Sequence, residues 1–200
     1  MTTMIAIERP APTPTLAPAK QRILDTADFL FYDEGIRAVG VDRLIGASSV
    51  TKATFYKHYG SKDRLIGDYV ELRHRQATVQ LAELVDRHSS PEAVLRALQQ
   101  SISSWISSPD FRGCPFINAT AEFSDPAHPV RRSVIAHREW FVDSLEQLVR
   151  GLGHPLAGEA ADDLVLARDG AMTGGYAGDP IASSTALARA FDRVIAGARA

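Results

Sequence analysis

From Ala19 onward, apolar side chains recur three and four positions apart, beginning with Ile23, Ala27, Leu30 and Phe31. That spacing predicts a helix buried along one face, closed at Gly35 by a left-handed cap. A short helix is expected over roughly 41–47, with Val41, Leu44 and Ile45 turned inward. Ser48-Ser49-Val50 breaks it, and Thr51 can cap a third helix through its hydroxyl, ending at Tyr59-Gly60. Ser61 then caps a fourth, carried by Leu65, Tyr69 and Leu72 towards Arg87, with Asp63 favoured in its first turn by the helix dipole.

Five more helices are expected. Ser90-Pro91-Glu92 is a strong start signal, with proline at the first helical position, and that helix runs to about Ser107 on Val94, Leu98, Ile102 and Trp105. A shorter one covers 116–123. The next opens at Asp125-Pro126 or after Pro129 and reaches Gly151 on Val134, Phe141, Leu145 and Leu148. The last two cover about 158–178 and 181–198. No stretch alternates with period two and no segment repeats, so the fold class is all-α with about nine helices. These divide into an N-terminal three-helix domain containing a helix-turn-helix and a larger C-terminal helical domain.

Composition refines this division. Pro10, Pro12, Pro14 and Pro18 make residues 1–18 an expected disordered arm, leaving 19–66 and 67–200 as the two domains. The chain has 200 residues, 45% of them hydrophobic, enough for a sizeable core. It holds no apolar run near the ~18 residues that would span a bilayer and no signal-peptide pattern. A cytoplasmic protein without membrane contact is expected. A single cysteine, Cys114, excludes an internal disulfide and multi-cysteine zinc sites, and the six histidines show no metal-ligand spacing. Neither metal nor cofactor is expected. Cys114 sits between Gly113 and Pro115 at a helix start, where it is either a redox-sensitive thiol or a small buried filler. Charge is uneven: 19–75 carries ten Lys/Arg against eight Asp/Glu, whereas 76–200 carries eleven against fifteen. A basic module on an acidic body suits a protein that meets phosphate at one end, although chance clustering gives the same count.

The segment 41–62, VDRLIGASSVTKATFYKHYGSK, reads as two short helices joined by a tight turn. In such a unit the second helix enters the major groove of DNA while the first braces across the backbone. Val50, Phe55 and Tyr59 supply an inner face. Thr51, Lys52, Tyr56 and Lys62 have donors suited to phosphate oxygens, which fix position. Thr54 and His58 are placed for base edges, and Lys57 suits either task. An ordinary solvated helix face has the same alternation, so pattern alone leaves both readings open.

Ordered motifs add a resemblance. Ile23-Leu24-Asp25-Thr26-Ala27, Phe31 and Gly35 lead to Val41, Leu44 and Ile45. Then come Val50-Thr51-Lys52, Thr54-Phe55-Tyr56, Tyr59 and Ser61-Lys62-Asp63 with Leu65. In order and spacing, residues 20–66 resemble the N-terminal domain of TetR-family repressors. The turn departs from the pattern, with Ser49 where a glycine is usual. The resemblance implies a homodimer that binds a palindromic double-stranded operator and releases it when a small-molecule effector, expected to be largely apolar, enters the C-terminal domain. It also implies dimerisation through the last two helices. Gly170 and Gly174 would allow close approach, and Leu187, Phe191, Val194 and Ile195 offer an apolar stripe. Either the partner copy or the chain itself could cover that stripe.

Large side chains in the C-terminal part, Trp105, Phe116, Phe123, Trp140, Phe141, Met172 and Tyr176 with His137, are the candidate effector pocket, to which Asn118 and Glu122 could add polar contacts. Aromatic residues at helical spacing are more often core than pocket, so ordinary core packing is the alternative for each of them. No nucleophile elbow, phosphate loop or dinucleotide fingerprint is present, so an enzyme is not expected. The alternative is a helical ligand-binding or interaction module without DNA affinity.

Overall fold

The computed structural model of the chain describes residues 16–199, and among them nine helices and no strand. They are α1 (Pro18–Glu34), α2 (Val41–Ala47), α3 (Lys52–His58), α4 (Lys62–Arg87), α5 (Pro91–Ile106), α6 (Pro115–Glu122), α7 (Pro129–Gly151), α8 (Ala157–Ala177) and α9 (Pro180–Gly197). Most of the arm expected over 1–18 lies outside the described residues. Its last residue, Pro18, instead opens α1, where a missing amide costs nothing and the fixed φ suits the helix. Gly35 does end α1, but with φ 94° and ψ 149°, an extended conformation open only to glycine rather than a left-handed helical cap.

The helices gather into two compact units. One holds the described residues up to Gln76 together with Pro115–Ala136. The expected boundary at residue 66 therefore falls inside α4, and α6, expected in the C-terminal domain, belongs to the helix-turn-helix unit. The core of this unit is Ile23, Leu24, Ala27, Leu30 and Phe31 from α1, Leu44, Phe55 and Tyr59 from the helix-turn-helix, and Leu65, Ile66 and Tyr69 from α4. The Phe31 and Tyr69 rings meet edge to face with centroids 5.5 Å apart. Polar bonds fix the frame. The Tyr59 hydroxyl donates to the Lys20 carbonyl at 3.2 Å, and the Lys20 ammonium lies 2.9 Å from Asp68. Arg73 Nε lies 2.6 Å from Asp28, tying α4 to α1. Burial pushes the Tyr59 and Tyr69 phenols upward, so both stay neutral.

The second unit comprises Ala77–Cys114 and the residues from His137 onward. Here α5, α8 and α9 pack against one another. Pro91 and Pro180 open α5 and α9, capped by Ser90 and Asp179 side chains that accept from Ala93 and Ala182 amides. Leu187, Phe191, Val194 and Ile195 are all buried inside this unit. That corrects their expected role as a stripe offered to a second copy: α5 and α8 of the same chain already cover it. Small residues serve the same internal packing. A Cβ on Gly175 would lie 2.5 Å from Ile106 Cγ2, and one on Gly174 would lie 2.8 Å from Ser183 Oγ.

Candidate nucleic-acid interface

The turn between α2 and α3 sets the direction of α3. Ser48 is buried, and its hydroxyl donates to the Leu44 carbonyl at 2.6 Å, closing α2. Ser49 follows with φ 52°, the only positive φ outside glycine among the described residues. Its amide donates to Gly46 O at 3.3 Å, and that of Val50 donates to Ile45 O at 3.3 Å. A β-carbon in this conformation costs about 1–2 kcal/mol, whereas glycine adopts it freely at an entropic cost of about 0.5–1 kcal/mol. Ser49→Gly is therefore expected to raise stability by about 0.5 kcal/mol. Denaturant titration at constant m-value checks this, and a lower midpoint would show that the serine contributes something its geometry does not reveal.

Thr51 caps α3 as expected. Its side-chain oxygen accepts the Thr54 amide at 3.1 Å and shares a hydroxyl bond with Thr54 at 2.8 Å. On the inner side Phe55 is completely buried, its ring tilted against Tyr59 at 6.1 Å. On the outer side Thr51, Lys52, Tyr56 and Lys57 are exposed, Tyr56 by 44%. Among the described residues Lys52 and Lys57 form no ion pair, unlike Lys20, which is held by Asp68. Two unneutralised ammonium groups on a projecting helix are what phosphate contact needs.

The remaining candidates sit differently. Thr54 and His58 are only half-buried at the flank of α3, and the Thr54 hydroxyl is already engaged with Thr51. Lys62 is half-buried at the start of α4, with Nζ 5.8 Å from the Phe31 ring centre. Burial lowers its pKa, while Glu122 and Asp63 work in the opposite direction.

The candidate effector residues divide between the two units. Phe116 and Phe123 belong with the helix-turn-helix. Phe123 stacks on His128 at 4.3 Å, with the Arg37 guanidinium 5.6 Å from its ring centre. Glu122 does not face a ligand: its carboxylate is bonded to the amides of Ile36 and Arg37. Trp105, His137, Trp140, Phe141, Met172 and Tyr176 lie in the other unit. Met172 is wholly buried there, and Tyr176, 56% exposed, meets Phe111 edge to face at 6.4 Å. His137 packs at 5.4 Å from Trp140 and parallel to Phe141 at 6.5 Å. Sequence reasoning missed Arg168 beside this cluster. Its guanidinium lies 5.4 Å from the Phe141 ring centre and donates to Cys114 Sγ at 3.3 Å and to Asp169 at 2.8 Å. Burial opposes its charge, but Cys114 and Asp169 hold it protonated. Cys114 is buried against this guanidinium. A positively charged residue within a helix reads as surface in sequence, so nothing there marked Arg168.

Two faces remain outward on the last helices. Leu166 (64% exposed), Gly170 and Thr173 line α8, and Ala182, Ala186 and Arg189 line α9. A groove of about 440 Å³ runs beside them, lined by Ala160, Asp163 and Ala167 of α8 and Ala190, Arg193 and Val194 of α9, with His154 at its end. Among the described residues no helix is long and apolar enough to cross a membrane.

Comparison with known proteins agrees with this geometry. Residues 23–69 match the family described as bacterial regulatory proteins, tetR family. Residues 91–154 match the tetracyclin repressor-like C-terminal domain. A solved TetR-family transcriptional regulator from Streptomyces coelicolor is 40% identical, with 89% of this chain and 94% of that one covered and a TM-score of 0.86. The HTH-type transcriptional regulator LmrA of Bacillus subtilis is 26% identical over 125 residues, 61% of this chain and 66% of its own length. The HTH-type transcriptional repressor DhaR of a Mycobacterium species is 23% identical over 132 residues, 66% of either chain. The matched stretch thus spans just under two thirds of each of those two relatives.

Proposed function

Since the chain belongs to the TetR family of bacterial regulatory proteins, a family of DNA-binding transcriptional regulators rather than enzymes, we propose that it acts as a cytoplasmic homodimeric repressor, released from a palindromic operator by a small, largely apolar effector. The supporting observation is α3 itself: anchored from below by Phe55 and Tyr59, it exposes Lys52, Tyr56 and Lys57 to solvent, the two lysines without an ion-pair partner among the described residues. In the major groove, Thr51, Lys52 and Tyr56 reach phosphates, with Lys62 beside them. Lys57 reaches a phosphate as well, His58 bears on a base edge, and Thr54 contributes through its methyl group.

One recognition helix reads too few base pairs for an operator, so two copies are needed. The outward face of α8 and α9, with Leu166 and Gly170 at its centre, is the surface on which they pair. The effector occupies the second unit among Trp105, His137, Trp140 and Phe141. It favours the spacing of recognition helices that misfits the half-sites, so effector and operator weaken each other by one common factor.

Selection of bound sequences from random duplex tests this. The expected product is an inverted repeat with half-site centres about 10 base pairs, or a multiple, apart. Enrichment of a lone half-site would contradict the dimer, and no enrichment would favour an interaction module without DNA affinity.

A further inference from the structure

Glu122 and the loop preceding α2 are joined across a long stretch of chain. Glu122 is the last residue of α6, 85 and 86 positions along the chain from the groups it binds. One carboxylate oxygen accepts the Ile36 amide at 2.8 Å and the other accepts the Arg37 amide at 2.6 Å. Both amides follow Gly35, whose φ of 94° lays them side by side towards α6. A β-carbon at Gly35 would sit 3.6 Å from the nearer carboxylate oxygen, an ordinary contact, so it is the positive φ rather than lack of space that asks for glycine here. The next residue on the α6 side, Phe123, lies beneath the Arg37 guanidinium at 5.6 Å. Ile36 is itself buried, so this loop is a fixed part of the unit's frame.

We propose that Glu122 is a positioning residue for DNA reading: its carboxylate latches the α1–α2 loop and so fixes the α2–α3 pair at the angle the groove requires. This deepens the DNA-reading assignment and rests on it. The chemistry suits a latch. Two charge-assisted bonds from one carboxylate to adjacent backbone amides are strong and directional, and they depend on no side chain of the loop. Glu122 itself touches no phosphate. Its negative charge by itself repels DNA, so removing the charge alone would strengthen binding. Weakened binding after its neutralisation therefore points to altered geometry once Lys62, whose protonation Glu122 favours, is shown to keep its charge.

The test uses the full chain and a labelled duplex carrying a selected operator, with Glu122→Gln and Glu122→Asp. Glutamine keeps the size but turns an amino group towards one of the two amides. Aspartate keeps the charge but shortens the reach. Expected for Glu122→Gln is about a ten-fold loss of duplex affinity, an unchanged salt slope and faster hydrogen exchange at the Ile36 and Arg37 amides, with Glu122→Asp in between. A merely structural role would lower the melting temperature without this order of affinities. Equal or tighter binding by Glu122→Gln while both amides lose protection would overturn the latch, as would retained protection in both variants. If Glu122→Gln does not fold, the aspartate variant decides by the same two readouts. Failure of the native chain to bind any duplex would remove the DNA-reading assignment and the latch together, whereas native binding with unaffected variants removes the latch alone.

Discussion

Phe55→Ala is expected to unfold the DNA-reading end of the molecule, whereas Tyr56→Ala, one position along, is expected to leave the fold intact. Phe55 is wholly buried, with its ring among those of Tyr56 and Tyr59 and next to the α1 core. Truncating a buried phenylalanine costs about 3–5 kcal/mol, from forfeited transfer energy and the cavity left behind. Whole domains are stable by about 5–15 kcal/mol, so this loss consumes much of the margin of a small unit. A fall in melting temperature of at least ~10 °C by circular dichroism is expected, with duplex binding abolished alongside. Tyr56 is 44% exposed, and its removal should shift stability by no more than about 0.5–1 kcal/mol while still weakening duplex binding. If the two substitutions destabilised equally, the inner and outer faces of α3 would have been assigned wrongly.

The second large effect concerns binding alone. Replacing Lys52 and Lys57 together by alanine removes two exposed ammonium groups that no carboxylate of the described residues neutralises. The fold should be indifferent, since neither side chain is buried. Duplex affinity should fall on the order of 100-fold at moderate salt, because two ammonium–phosphate pairings disappear from each protomer and a dimer carries both sets. The logarithmic salt dependence should also become shallower by about one unit for each phosphate no longer neutralised. Isotherms recorded for native and doubly substituted protein over a range of salt give both quantities. Equal slopes would mean that these lysines meet no phosphate.

How much of this was legible in the sequence depended on how local the determinant was. The borders of α2 through α5 followed from signals a few residues long. Thr51, Ser61 and Ser90 accept the amides expected of cap residues, and Pro91 opens α5 as its position required. The strained Ser49 was visible as a departure from the resembled pattern and carries the positive φ that a glycine would supply. What depended on distant partners left no local mark. The apolar stripe Leu187, Phe191, Val194 and Ile195 has the same spacing whether its cover is α5 and α8 or a second copy, and the structure assigns it to the chain's own core. Glu122 and Phe123 read as the polar and aromatic rim of an effector cavity, but α6 joins the helix-turn-helix unit, and only its pairing with Ile36 and Arg37 reveals this. Arg168 carried no mark in the sequence, because Asp169 and Cys114 gather at its guanidinium only in the fold.

Whether the outer side of α3 seats in a DNA groove is tested most directly by anisotropy titration of a labelled duplex, taken from the region flanking the chain's own coding sequence, across salt concentrations from about 50 to 200 mM. Tight binding at the low end is expected, with the logarithm of the association constant falling linearly and steeply against the logarithm of salt. Absence of binding at the lowest salt, or an affinity insensitive to salt throughout, would contradict it.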